Sequence, residues 1–192
     1  MLRNLILKNR SYRRFYQSRP VPEEQVREWI DLARNSASAG NSQPLKYIIS
    51  AEASINVKIF ETLAWAGYLS DWAGPEDGER PSAYIIMLHD TLVRNKYLCD
   101  DGIAAQSILL GAVESGFGGC IIHSVNRIKL RDLLKLQDHL EIIQVIALGR
   151  PKETVVLEKM CNDDVKYWRD ENQVHHVPKR SLDEIILKIK TE

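Results

Sequence analysis

The chain has 192 residues, of which 44% are hydrophobic and 27% are charged, and this is the composition of an ordinary globular protein. The 26 Lys and Arg residues balance the 26 Asp and Glu residues, so no overall field attracts nucleic acid or an anionic membrane. The length predicts one domain over 1–192, and three scattered cysteines argue against a disulfide scaffold or a Cys-based zinc site.

The first half of the chain alternates helical and extended patterns. Leu2, Leu5 and Ile6 predict a helix that ends near Asn9. Pro22, followed by two glutamates, opens a helix over 22–35. The remaining patterns predict a loop at 36–44, a strand at 46–50, a helix with Ile55, Ile59 and Leu63 on one face, a loop at 67–81 and a strand at 84–88.

The second half continues this alternation and ends in a less regular segment. It predicts a mostly buried helix at 96–115, strands at 120–122 and 142–148, a short helix from Asn126 to Leu136, and a helix from the Ser181–Glu184 capping box through Lys188. The stretch 158–180 lacks periodicity, so we expect a C-terminal arm, about 158–192, that lies on another surface such as a partner subunit. The pattern favours a four-stranded central sheet flanked by helices.

Secretory and membrane-spanning segments are not predicted. The apolar N-terminal residues are interrupted by Arg3 and Asn4 and lack a small-residue cleavage site. The longest apolar run, 142–148, is far shorter than the roughly 20 residues that span a bilayer. We therefore expect a soluble, cytoplasmic protein.

Two polar segments are candidates for ligand binding. The cluster 10–14 (Arg-Ser-Tyr-Arg-Arg) suits a terminal phosphate, although a solvated basic turn is an equal interpretation. The loop 36–44 offers Ser38, Asn41 and Gln43 to a flat heterocycle or a polyol, and taken alone it is more often an ordinary polar connection.

Other suggestive residues do not form a catalytic set. The glycines of 116–119 follow a helix and precede a strand, which is the wrong order for a dinucleotide fingerprint. Cys120 and His123 would point to opposite faces of a strand, and the adjacent pair His175 and His176 has no nearby metal-ligand partners. No metal site is predicted, and the absence of a catalytic constellation favours chemistry carried by a cofactor.

Four motifs in register resemble the FMN-dependent nitroreductase family. They are Asn9–Phe15, Ala33–Pro44, Asp101–Gly118 and Leu148–Pro151, with a late basic residue at Lys179 or Arg180. Two positions depart from the family pattern, because Asn9 replaces a basic residue and Ala37 replaces the usual proline.

The resemblance implies an α+β fold, a three-layer α/β/α sandwich with a central, mainly antiparallel sheet, in a homodimer with FMN at the subunit interface. The implied FMN contacts are Arg10, Ser11 and Arg13 with Lys179 or Arg180 from one chain, Ala37, Ser38, Ala39 and Asn41 from the other, and Ile122, His123 and Ser124 beside flavin N5. Arg13 can serve either the phosphate or the pyrimidine end of the flavin.

The resemblance further implies an oxidoreductase that passes electrons from NADH or NADPH through flavin N5 to a nitroaromatic, quinone or similar small acceptor. The chemistry would lie on the flavin rather than on a catalytic side chain, and one shared pocket predicts ping-pong kinetics. Two alternatives remain open: a flavin-using relative with another reaction (dehalogenation, dehydrogenation or flavin breakdown), and a non-catalytic flavin carrier or redox sensor.

Overall fold

A computed structural model describes residues 1–187 of the chain. Its helices and strands are, in chain order, α1 Leu2–Lys8, α2 Glu23–Arg34, β1 Leu45–Ser50, α3 Ala53–Phe60, β2 Ala83–Asp90, α4 Asp100–Glu114, β3 Gly118–Ile122, α5 Arg127–Leu134, β4 Leu140–Gly149, β5 Val155–Lys159, β6 Trp168–Arg169, β7 His175–Lys179 and α6 Leu182–Ile185. A single 3-10 turn, Ala39–Asn41, interrupts the loop between α2 and β1.

The central sheet has four strands in the order β1-β2-β4-β3, and every neighbouring pair is antiparallel. All eight residues of β2 are buried because both faces of the sheet are covered. Successive side chains of a strand point to opposite faces, so Ile85 and Met87 join one core while Tyr84 and Ile86 join the other.

Helices cover the two faces of this sheet. On one face α2 and α4 contribute Trp29 and Ile108, and on the other α3 and α5 contribute Ile59 and Leu130. The predicted three-layer α/β/α sandwich with an antiparallel central sheet is therefore confirmed. No helix within residues 1–187 is long and apolar enough to cross a membrane.

Several predicted boundaries move for local reasons. The helix predicted at 96–115 begins only at Asp100, because Leu98 has a left-handed backbone with φ of 51°. The short helix capped by Asn126 ends at Leu134 rather than Leu136, because Lys135 is left-handed. The last helix ends at Ile185, and Lys188, where it was predicted to end, lies outside the described residues.

The segment 158–180, which lacks periodicity in the sequence, contains short strands. This segment, with β5, forms a second sheet in the order β5-β7-β6, in which β5 and β7 are parallel and β6 and β7 are antiparallel. The strands have two to five residues and few buried side chains, so they leave no apolar period in the sequence. The arm sheet, as we call it, lies on the N-terminal segment of its own chain, where the backbone N–H of Arg13 donates to Glu153 just before β5.

Candidate functional site

Both ends of the described chain contribute to one cavity of about 310 Å³. Its lining residues are Asn9, Arg10, Ser11, Arg13, Gln106, Leu109, Gly119, Ile121, Tyr167, His175, Val177 and Lys179. The fold therefore brings the predicted N-terminal cluster beside one of the two predicted C-terminal cations. We call this the basic cavity.

The segment after α1 is fixed against β3 by backbone contacts. Ser11 forms a parallel bridge with Gly119, and the N–H of Tyr12 donates to the carbonyl of Gly119 over 3.0 Å. Gly118 permits this close approach, because a Cβ atom there would lie 2.6 Å from the Tyr12 ring. This contact places Arg10 and Ser11 at the edge of the central sheet.

Arg13 is buried in the wall of the basic cavity. Its Nη1 donates to the carbonyl of Ser11 over 3.2 Å and lies 3.2 Å from Nε2 of His175. Its guanidinium carbon lies 4.7 Å from the centre of the Tyr167 ring, which is a cation–π contact. Arg13 thus joins the N-terminal segment to the arm sheet.

His175 is a neutral ring with one unused donor. Burial, together with the charge of Arg13, lowers its pKa to about 4, so the imidazole carries no charge near neutral pH. Because Arg13 can only donate, Nε2 accepts and the ring proton lies on Nδ1. Nδ1 is buried and has no hydrogen-bond partner, so it can donate to a bound acceptor.

Glu153 is the anchor of the arm sheet. Its side chain is fully buried, it pairs with Arg169 over 3.1 Å, and it accepts from the backbone N–H groups of Arg13 and Arg14. Arg169 in turn lies 4.2 Å from the centre of the Trp72 ring. One buried carboxylate therefore connects the arm, the loop before β2 and the N-terminal cluster.

The donors of the basic cavity fit the phosphate-bearing end of FMN. Within residues 1–187 neither Arg10 nor Lys179 belongs to an ion pair. Nε of Arg10 is buried without a partner, as is Nδ1 of His175. Unpartnered buried donors and cations without an ion pair are the groups that a dianionic phosphate requires.

Arg180, the other candidate cation, does not line the basic cavity. It is exposed and pairs with Glu184 one helical turn later and with Asp163 over 3.3 Å. Lys179 is the last residue of β7 and lines the cavity, whereas Arg180 follows the strand and lies outside the lining. The geometry therefore favours Lys179 as the C-terminal contact.

Residues of the loop 36–44 lie elsewhere in the same chain. Ala37 and Ser38 line a separate cavity of about 220 Å³ that shares no lining residue with the basic cavity. The Ser38 hydroxyl donates to Asp100 over 2.6 Å, and the N–H of Ala39 donates to the same carboxylate over 2.9 Å. Asn41 is exposed, with a left-handed backbone at φ of 52°. The loop is thus held rigidly by the first residue of α4.

The segment 122–124 lies at the end of β3, just beyond the basic cavity. Ile122 is buried in the core, whereas His123 and Ser124 are exposed, and the carbonyl of Ser124 accepts from the N–H of Ala64. None of the three lines the basic cavity, but Gly119 and Ile121 of the same strand do.

Sequence reasoning missed Tyr167, His175 and Glu153 as parts of this region. One signal was available for His175, because His175, Val177 and Lys179 alternate along β7 and all line the basic cavity. Tyr167 and Glu153 carried no such signal, since their roles depend on contacts with residues far away in the sequence.

Comparison with known proteins identifies the family. The profile of the Nitroreductase family matches residues 6–75 and 94–150. A Methanothermobacter thermautotrophicus protein with the provisional name NADH dehydrogenase/NAD(P)H nitroreductase is 29% identical over 153 residues, which are 77% of this chain and 76% of that protein.

Solved structures agree in fold. A nitroreductase family protein from Streptococcus pneumoniae aligns with a TM-score of 0.71 at 17% identity, over 98% of this chain and all of that one (100%). An FMN-dependent nitroreductase from Clostridium difficile aligns with a TM-score of 0.64 at 20% identity, over 85% of this chain and 92% of that one. The chain belongs to the nitroreductase family of oxidoreductases.

Proposed function

We propose that the protein binds FMN and passes electrons from NADH or NADPH to a small acceptor such as a nitroaromatic or a quinone. The observation that carries this proposal is the convergence of Arg10, Ser11 and Lys179 on one cavity with unpartnered buried donors. The FMN dependence of the C. difficile nitroreductase and the name of the archaeal relative support the cofactor and the electron donor.

The chain's own residues would bind and orient the cofactor. Arg10 and Lys179 neutralise the phosphate, while Ser11 and Nδ1 of His175 donate hydrogen bonds. Arg13 adds a buried positive charge at the wall, fixed by Tyr167. When bound, FMN supplies an N5 atom that accepts and donates hydride, and the backbone at 122–124 would lie beside it.

A complete site would use two copies of the chain. The loop 36–44 and the basic cavity share no lining residue within one chain. The resemblance to the nitroreductase family implies that this loop of the partner subunit closes the site. The interface should exceed about 2,000 Å². Light scattering should give a homodimer, and a stable monomer that retains flavin would contradict this part of the proposal.

The test of the cofactor site compares two adjacent lysine and arginine positions. Lys179→Glu reverses a charge that lines the basic cavity, whereas Arg180→Glu makes the same change one residue later, outside it. Hydrogen bonds to charged groups contribute about 1.5–3 kcal/mol, so Lys179→Glu should weaken FMN binding more than tenfold. Arg180→Glu should change the affinity for FMN by less than about threefold relative to the parent protein.

Binding is measured by the quenching of flavin fluorescence in the apoprotein, with FAD as the comparison cofactor. If the parent and Lys179→Glu bind FMN with equal affinity, Lys179 does not contact the cofactor. A loss with Arg180→Glu alone would transfer the contact to Arg180. Preference for FAD would overturn the choice of cofactor.

The test of electron transfer uses both nucleotides with a quinone and a nitroaromatic. Because donor and acceptor would use the same pocket in turn, double-reciprocal plots at several acceptor concentrations should be parallel. Intersecting lines would exclude the ping-pong order. Tight FMN binding without oxidation of either nucleotide would instead favour a flavin carrier.

A further inference from the structure

A third cavity, of about 130 Å³, lies between β2, α3 and the segment that precedes β2. It shares no lining residue with the basic cavity or with the cavity beside the loop 36–44. Pro20, Val57 and Phe60 provide apolar walls, and Arg80 and Tyr84 provide polar groups. We call it the Arg80 cavity.

The Tyr84 hydroxyl is an unused donor in this cavity. Tyr84 is completely buried, and its hydroxyl oxygen has no hydrogen-bond partner. A buried hydroxyl without a partner destabilises the fold, and native proteins normally avoid one. Burial raises the pKa of the phenol, and the nearby charge of Arg80 only partly offsets this rise, so the group keeps its proton near neutral pH.

The guanidinium of Arg80 is also unpartnered but held in place. Its Nε is buried without a hydrogen bond, and Arg80 belongs to none of the ion pairs within residues 1–187. Its central carbon lies 4.4 Å from the centre of the Phe60 ring. Its backbone N–H donates to Gln17 over 3.0 Å. The charge is thus preorganised rather than free to swing into solvent.

The other buried polar side chains of this cavity, Asn56 and Ser82, already have partners. The Ser82 hydroxyl donates to the carbonyl of Arg19 over 3.2 Å. Asn56 donates to the carbonyl of Ser82 over 2.8 Å and accepts from the Ser50 hydroxyl over 2.7 Å. No Asp or Glu lines the cavity. The polar groups that remain without partners are therefore the Arg80 guanidinium and the Tyr84 hydroxyl, which lie beside an apolar wall. This arrangement is complementary to an anion with a short hydrocarbon body.

We propose that the Arg80 cavity binds a small organic monocarboxylate, whose carboxylate contacts Arg80 and Tyr84 and whose hydrocarbon part contacts Phe60, Val57 and Pro20. An arginine and a hydroxyl suit a carboxylate because both can donate to its two oxygens. An apolar cavity of roughly 150 Å³ holds a benzene ring, so this smaller one suits an acid of the size of butyrate. The site is separate from electron transfer and does not depend on the proposed function.

The test uses sodium butyrate as the probe and the purified holoprotein as the target. Binding is followed by perturbation of NMR signals near β2 and by thermal shift. Butyramide, which has the same body without the charge, and sodium chloride at equal ionic strength are the ligand controls. We expect saturable binding of butyrate, and binding at least tenfold weaker or absent for butyramide.

Two variants locate the contact. Tyr84→Phe should weaken butyrate binding about tenfold without lowering the melting temperature, because the hydroxyl it removes has no partner. Arg80→Met should abolish binding while keeping an apolar stem on Phe60. Tyr16→Phe and Arg19→Met, in an exposed Arg–Tyr pair outside the cavity, are matched controls that should bind butyrate like the parent.

The outcomes separate this site from the flavin site. Butyrate bound equally by the parent and Tyr84→Phe, or butyramide bound as tightly as butyrate, would overturn the proposal. A lack of saturable butyrate binding would do the same, and the hydroxyl would then be satisfied by water. FMN content measured in each sample reports on the proposed function independently.

Discussion

The two sheets of the molecule are held by different interactions. Every residue of β2 in the central sheet is buried, and its neighbours are apolar side chains from both helical layers. In the arm sheet only His175 of β7 is buried, and the sheet is tied down by Glu153 and Arg169 and by the contacts of Arg13. The first is a hydrophobic scaffold and the second a polar attachment.

The candidate site is built from both kinds of structure. Apolar burial fixes the central sheet and β3, so Gly119 and Ile121 form a rigid floor of the basic cavity. Charged and aromatic contacts fix the opposite wall, where Tyr167 and His175 lie. Changes in the arm should therefore alter ligand binding without unfolding the scaffold.

The largest expected effect is in the scaffold. Ile146 is fully buried in β4, so Ile146→Ala removes buried methyl groups and leaves a cavity. The free energy of unfolding should fall by about 2–5 kcal/mol in urea denaturation. Leu157→Ala in the arm sheet, where Leu157 is 38% exposed, should cost less than about 1 kcal/mol. Equal losses would show that both sheets share one hydrophobic core.

The next effect is local to the arm. Glu153→Gln keeps the shape of the side chain but removes the charge that is paired with Arg169. Leaving that guanidinium without its partner should destabilise the attached arm by about 2–3 kcal/mol. Amide hydrogen exchange should speed up in β5 and β7 and stay unchanged in β2. Glu158→Gln, on a half-buried pair with His176, is the control that should have a smaller effect.

A smaller effect is a pH dependence set by His175. The pKa of His175 is lowered from the ordinary 6.5 to about 4 in the attached arm. When the arm is detached, His175 regains its ordinary pKa, so protonation below pH 6.5 favours the detached state. The attachment should be strongest above pH 6.5 and weaken progressively as the pH falls from 6.5 to about 4. Hydrogen exchange of β7 across this range measures the effect.

The matching variant is His175→Gln, which should remove that dependence. His123→Gln changes an exposed histidine and should preserve it. If the parent and His175→Gln show the same pH profile for β7, another group controls the attachment.

The smallest effect concerns an ion pair nearer the surface. Hydrogen bonds from Arg14 and then Lys152 lower the pKa of Glu79 from 4.5 to about 2. The contribution of the ionised Glu79 to the free energy of unfolding is therefore present above pH 4.5 and is lost as the pH falls towards 2. Glu79→Gln should cost at most about 1 kcal/mol at pH 7, and the difference in unfolding free energy should shrink in acid. A constant difference would exclude the ion pair as its origin.

Sequence reasoning predicted the parts that depend on apolar periodicity. The strands at 84–88 and 142–148 and the helix at 22–35 carry patterns that burial on one or two faces imposes, and all three are present. Cys120, interpreted as a buried and inert thiol, is buried, and this burial raises its pKa.

The arm sheet could not be predicted in the same way. Its strands are held by contacts between Arg13 and three residues far away in the sequence. These residues are the buried carboxylate of Glu153, the ring of Tyr167 and the neutral ring of His175. Such pairs leave no local trace in a single sequence. Residues 175–179 alternate in direction, but two histidines and a proline make this segment unlike a typical strand in sequence.

The meeting of Arg10 with Lys179 in one cavity also constrains the order of events during synthesis. The central sheet is complete once Gly149 has emerged from the ribosome, so the scaffold can form before the arm has emerged. The basic cavity is complete only when the chain has emerged as far as Lys179, which follows Gly149 by 30 residues. An anionic ligand therefore cannot template the nascent scaffold through this cavity, and its capture becomes a late event of maturation.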